Sequence, residues 1–189
     1  MQLRHNRRIA PVEGKIPGKP DLSCSEYPHM RKPRVTADEH MEYLPSPRKK
    51  ETLEQLLAVW QSSVQATHHF LNGEDITELR PFVWQALKEI PLLHAICEAG
   101  GKRVGFMGVQ ADRLEMLFLH PQVCGRGLGT HMLAFAVKEL GVRRLDVNEQ
   151  NPAALKFYLS RGFRVTARSP LDSQGKPWPI LHMELKQSI

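Results

Sequence analysis

Residues 117 to 133 read LFLHPQVCGRGLGTHML: an apolar strand-like run, three glycines on alternate positions, then a helix-like run. Glycine loses more conformational freedom on folding than any other residue, so three within five positions mark a backbone with unusual demands. The place where they sit explains the demand. The first N–H groups of a helix have no intrahelical partner, and the helix dipole puts about half a positive charge there. Gly125, Gly127 and Gly129 lack a Cβ, so this backbone can turn sharply and present N–H groups to phosphate oxygens at close range, with Arg126 as a mobile positive charge. A plain strand-to-helix turn needs one glycine. The segment has no G-K-[ST] and does not follow G-x-G-x-x-G, so neither a triphosphate P-loop nor a dinucleotide fingerprint is present.

Outward from this segment the chain is periodic from about Met41. MEYLPS predicts a short strand, and RKKETLEQLLAVWQSSVQATHHF carries Leu53, Leu56, Leu57, Trp60 and Val64 at helical spacing. ITELRPFVWQALKEI predicts a second helix, with Pro81 near its start, where a missing N–H costs nothing. LLHAICEA, KRVGFMGVQ and RLEMLFLHP predict three strands in an antiparallel meander, joined by turn residues. A helix over about 128–140, a strand RRLDVNE, a helix NPAALKFYLSRG and strands FRVTARS and ILHMEL follow. A helix between RLEMLFL and RRLDVNE implies that these two strands are parallel. The fold class is α/β, with a mixed central sheet flanked by helices.

Composition bounds the rest. The chain has 189 residues, enough for one domain with a sizeable core. Its net charge of +6 sits mostly in the first 50 residues, where 11 Lys and Arg face 6 Asp and Glu and where 7 of the 14 prolines fall. Such a segment cannot bury enough apolar surface to offset its backbone entropy. Residues 1–40 are therefore expected to be a disordered, dispensable basic extension, and residues 41–189 the folded domain. The near-neutral remainder argues against a nucleic-acid surface on the domain, and no apolar run approaches membrane-spanning length. Cys24, Cys97 and Cys124 form no C-x-x-C pair, which fits a reducing cytoplasm and no metal site.

LFLHPQVCGRGLGTHML followed by VNEQNPAALKFYLSRGFRV resembles the two central motifs of the GNAT superfamily of acetyl-CoA-dependent N-acetyltransferases. With SVQATHHFL and GKPWPILHMEL added, the chain is similar over about residues 41–185 to small bacterial peptidyl-lysine acetyltransferases of the YjaB type. The resemblance implies the GNAT-like (acyl-CoA N-acyltransferase) fold, acetyl-CoA as co-substrate and no metal. It implies that Leu117, Phe118 and Leu119 offer backbone to the pantetheine arm. Cys124, Gly125, Arg126, Gly127, Leu128, Gly129 and Thr130 would then hold the pyrophosphate, and Asn151 would contact the cofactor. It also implies that Tyr158 serves the leaving sulfur. Cys124 departs from the family pattern, which has Arg or Gln there; because the cradle acts through backbone N–H groups, a lowered cofactor affinity is the most this implies.

Acetyl transfer to an amine needs a neutral nucleophile, and a lysine of pKa near 10.4 is deprotonated at pH 7 only at a cost of about 4 to 5 kcal/mol. Glu115 is the candidate base; strict alternation puts it on one face with Leu117 and Leu119, and a bulge in the strand would decide what it faces. A solvated strand-end carboxylate is the competing reading. Tyr158 and Asn151 likewise have structural readings, as a half-buried helix residue and an N-cap before Pro152. His68 and His69 fall at the end of the first helix, where a surface role competes with a lid over the acceptor cleft. The expected acceptor is a small-molecule amine or a protein lysine, met by a monomer or homodimer. A non-catalytic CoA-binding module on the same fold is the alternative.

Overall fold

The computed structural model describes residues 39–186; the expectations for residues 1–38, including Cys24, lie outside them. The chain forms β1 (His40–Tyr43), α1 (Lys50–Thr67), α2 (Gly73–Glu89), β2 (Leu92–Cys97), β3 (Arg103–Gln110), β4 (Arg113–Leu119), α3 (Leu128–Lys138), β5 (Arg144–Asn148), α4 (Pro152–Leu159), β6 (Phe163–Ser169) and β7 (Ile180–Leu185). The folded region begins slightly earlier than expected. Glu39 is buried and His40 pairs with Cys97, so both belong to the domain rather than to the extension.

The seven strands form one mixed sheet in the order β1-β2-β3-β4-β5-β7-β6. The β2-β3-β4 meander is antiparallel, and β4 and β5, linked through α3, are parallel. Helices cover both faces. On one, Leu56, Trp60 and Val64 of α1 and Val83 and Leu87 of α2 pack on Leu93, Phe106, Met116 and Phe118. On the other, Leu128, Met132 and Leu133 of α3 and Tyr158 of α4 pack on Met107, Leu114, Leu145, Val147 and Met183. Each fully buried large apolar side chain contributes roughly 1.5 to 3 kcal/mol.

α2 begins at Gly73, three residues before the apolar period starts at Ile76. A capping box does this: the Asn72 side chain accepts from Asp75 N–H, and the Asp75 carboxylate accepts from Asn72 N–H. Pro81 is consequently interior rather than near the start. It stands on the exposed face, as does Thr77, so water can serve the carbonyl whose helical donor the proline lacks. The far end of α2 is held by Arg48, whose guanidinium donates to the carbonyls of Leu87, Lys88 and Ile90 while its Nε donates to Leu44. These are orphan carbonyls of a helix C-terminus meeting a cation. Arg48→Ala is expected to lower the unfolding free energy by about 2 to 3 kcal/mol in urea titration. Arg48→Lys should recover only part of this, because an ammonium cannot reproduce the planar fork.

Candidate active site

The site begins with a defect in β4. Gly108 pairs with Met116 while its neighbour Val109 pairs with Leu114, so Glu115 is an extra residue opposite no partner, a β-bulge. A bulge bends its strand and sharpens the local twist. Side-chain parity reverses across it: Leu114 packs on the α3/α4 side, whereas Met116 and Phe118 pack on the α1/α2 side. The strict alternation used to place Glu115 therefore fails at Glu115 itself. Beyond the bulge β4 and β5 part. Their ladder holds only Arg113 with Arg144 and Leu114 with Leu145, while β5 runs on to Asn148 against β7.

A wedge opens between the two strands and holds a cavity of about 80 Å³, lined by residues that include Glu115, Leu117, Phe118, Asp146, Asn151 and Tyr158. At roughly 10 to 15 Å³ per water, it has room for a few heavy atoms, the scale of an acyl group and an amine. Tyr158 reaches it from α4. Its ring packs edge-on against Phe157 and Phe163 at 5.1 and 6.0 Å. Burial pushes its phenol well above the ordinary value, so the hydroxyl keeps its proton. No partner binds that hydroxyl among the described residues. Asn151 caps α4, its side-chain oxygen accepting from Ala154 N–H at 3.1 Å, which leaves its amide N–H groups for the wedge. Asn151 is thus the expected N-cap, and it also lines the cavity.

The glycine segment follows β4 directly, and a Cβ at Gly129 would touch Leu119 of β4 and Phe157 of α4. After a short 3-10 turn at Pro121–Val123, Gly125 and Gly127 take φ of 81° and 89°, the left-handed region that disfavours side chains. Gly127 caps α3 without a side chain, and the first helical bond there is His131 N–H to Gly127 O at 3.0 Å. The N–H groups of Leu128, Gly129 and Thr130 precede it and are not satisfied within the helix. Arg126 is not the mobile cation expected. It pairs with the buried carboxylate of Glu39 and with Glu98, partners 87 and 28 residues away in the chain. Thr130 is also engaged, its hydroxyl accepting from Arg161 Nη2 at 2.9 Å.

The sequence profile of the acetyltransferase (GNAT) domain matches residues 91–165. The peptidyl-lysine N-acetyltransferase YjaB of Escherichia coli is 42% identical over 130 residues, covering 69% of this chain and 88% of that protein. The chain belongs to the GNAT acetyltransferase family. It is thereby an acyltransferase. The solution structure of apo YjaB from Escherichia coli superposes with a TM-score of 0.69 at 36% identity, over 79% of this chain and 99% of that one. The fold also matches the PaiA N-acetyltransferase of Thermoplasma acidophilum in complex with coenzyme A, with a TM-score of 0.60 at 23% identity over 78% of this chain and 99% of that one.

Three further features mark this GNAT site. Arg161 joins the α3 N-terminus to the Phe157 ring, 5.6 Å from its centroid. Of the two readings for the histidine pair, His68 takes the cleft side and lines the wedge, while His69 is exposed as the surface reading has it. Burial holds the His68 imidazole down to about 4, so it is neutral at pH 7, and its ring begins an aromatic chain through Phe70 to Trp178 on the β6–β7 connection. The third is a polar chain along the sheet, from Arg113 through Asp146 and His182 to Ser169. Among the described residues no three His, Cys, Asp or Glu side chains cluster to hold a metal, and no helix is long and apolar enough to cross a membrane.

Proposed function

We propose that this enzyme moves acetyl from acetyl-CoA to a primary amine, a protein lysine side chain being the acceptor class, by direct transfer within a ternary complex. One observation carries the reading: the β4/β5 wedge brings Glu115 and Tyr158 to one cavity, next to a helix N-terminus with no side-chain cap. The uncapped N–H groups of 128–130 and the two left-handed glycines would receive the pyrophosphate, with Cys124 and Arg126 flanking them. The Leu117–Leu119 edge, unpaired on the β5 side, would offer N–H and C=O groups to the pantetheine arm. Asn151 would donate from the opposite wall. The lysine acceptor class is supported by the YjaB relatives, which are peptidyl-lysine N-acetyltransferases.

Glu115 takes the role of base toward the acceptor ammonium, a role for which its place at the bulge, inside the wedge rather than at a solvated strand end, argues. Tyr158 serves the departing sulfur as a hydrogen-bond donor. Ordinary thiols and phenols have pKa values near 8.5 and 10, and burial raises this phenol further, so complete proton transfer to a thiolate is uphill by more than about 2 kcal/mol. A held hydrogen bond stabilises the developing charge without that cost. Direct transfer is favoured over an acyl-cysteine route by the two described thiols. Cys97 is pushed up to about 11 by burial and by Glu42, and burial also raises Cys124, so neither is activated as a nucleophile.

The test is full-length protein with acetyl-CoA and a panel of lysine peptides, polyamines and amino sugars, read by thiol release and by product mass. Stoichiometric thiol release with a 42-Da gain on a lysine side chain is expected. Tight acetyl-CoA binding without turnover on any amine would establish the non-catalytic alternative. Weakening the acidic pair beside the cradle gives a second check: Glu98→Gln should tighten CoA binding by about two- to fivefold at low salt, with the gain fading at high salt.

A further inference from the structure

Asp146 is a carboxylate with one oxygen crowded and the other empty. Its side chain is 7% exposed, and Oδ1 takes His182 Nδ1 at 2.7 Å and Arg113 Nη1 at 2.8 Å, the latter out of line for a hydrogen bond. Oδ2 is buried and has no hydrogen-bond partner, although Asp146 lines the wedge. A buried carboxylate oxygen left unpaired costs at least about 1 to 3 kcal/mol, so a structural ion pair alone would be built to use both oxygens. The orientation is fixed from behind. Ser169 Oγ lies 2.8 Å from His182 Nε2, and only a proton on Nδ1 suits the carboxylate at the ring's other end. The wall facing Asp146 carries Glu115, itself 3.9 Å from Arg113, so two carboxylates share one guanidinium. His68 and Tyr158, the other titratable side chains of the cavity, are held neutral by burial.

We propose that Asp146 Oδ2 is the binding atom for the acceptor's ammonium, and that Arg113, His182 and Ser169 are positioning residues that aim it into the β4/β5 wedge. The proposal rests on the amine-acceptor reading above and adds the residue that selects a cationic amine over a neutral isostere. An ammonium there completes Asp146's hydrogen bonding in a cavity that two carboxylate side chains line. It also stands in the cavity that Glu115 and Tyr158 line, where its proton can pass to Glu115.

The probes are n-butylamine, matching a lysine side chain, and n-butanol, its neutral isostere, each titrated into full-length protein with and without CoA. The side-chain carboxyl 13C resonance of Asp146 and the ring 15N resonances of His182 are followed. Saturable shifts with butylamine and none with butanol are expected. Asp146→Asn should weaken butylamine by about tenfold or more, while acetyl-CoA affinity stays within about twofold. Ser169→Ala should weaken butylamine less, and it should alter the His182 ring shifts before any amine is added. Butylamine that moves the Glu115 carboxyl but not Asp146, or that binds Asp146→Asn as well as wild type, overturns the proposal. If Asp146→Asn does not fold, the wild-type carboxyl resonance decides alone. Loss of acetyl transfer with butylamine still seated on Asp146 would count against the proposed function and not against this site.

Discussion

Gly127→Val is expected to lower acetyl-CoA affinity by about 100-fold or more. Gly127 sits at φ 89° as the cap of α3, with the unpaired N–H groups of the first turn directly after it. A Cβ-branched side chain at that point displaces the backbone the anion must approach, and losing two charge-assisted hydrogen bonds of about 1.5 to 3 kcal/mol each amounts to at least two powers of ten. Valine in the left-handed region also strains the fold by about 1 to 3 kcal/mol, so affinity and melting must be read together. Gly141 supplies the control: its φ is 69°, and a Cβ there would meet nothing within 4 Å. Gly141→Val should melt lower in the same way and bind acetyl-CoA normally. Equal affinity losses in the two variants, by calorimetry, would reduce the cradle to a strained turn.

Tyr158→Phe is the second large effect. The substitution removes a hydroxyl that no described residue uses and keeps the ring packed between Phe157 and Phe163, so stability should change by no more than about 1 kcal/mol. If the hydroxyl stabilises the departing sulfur, the turnover number should fall about 10² to 10³-fold with little change in acetyl-CoA affinity. This is the scale for a lost hydrogen bond to a developing charge. Wild-type turnover, measured where chemistry limits the rate, would remove Tyr158 from the mechanism.

The elements of the fold were legible because each carries its own periodicity. α1 reads from Leu53, Leu56, Leu57, Trp60 and Val64, and the antiparallel meander from three short runs with turn residues between them. Less legible were features set by a single local bond or by pairing across the sheet. The Asn72 box begins α2 in a polar turn that apolar periodicity does not register. The Glu115 bulge has no glycine or proline to announce it, yet it reverses the side-chain parity of β4 and opens the wedge. Arg126 could not be matched to Glu39 across 87 residues, nor Asp146 to Arg113, His182 and Ser169, because three strand neighbours must first be placed in register. The motif residues stand out in the sequence by residue type and spacing; their partners needed the sheet order β1-β2-β3-β4-β5-β7-β6.

Acetyl-CoA is expected to occupy the β4/β5 wedge with its phosphates at the start of α3. Backbone amide resonances of uniformly labelled full-length protein, followed through an acetyl-CoA titration, test it most directly. The largest shifts should fall on Gly125 and on Gly127 through Thr130, followed by Leu117–Leu119 and Asn151, while β1, β2 and the outer strand β6 stay nearly still. Saturable binding whose largest shifts lie elsewhere, or no saturable binding at millimolar acetyl-CoA, would contradict the account.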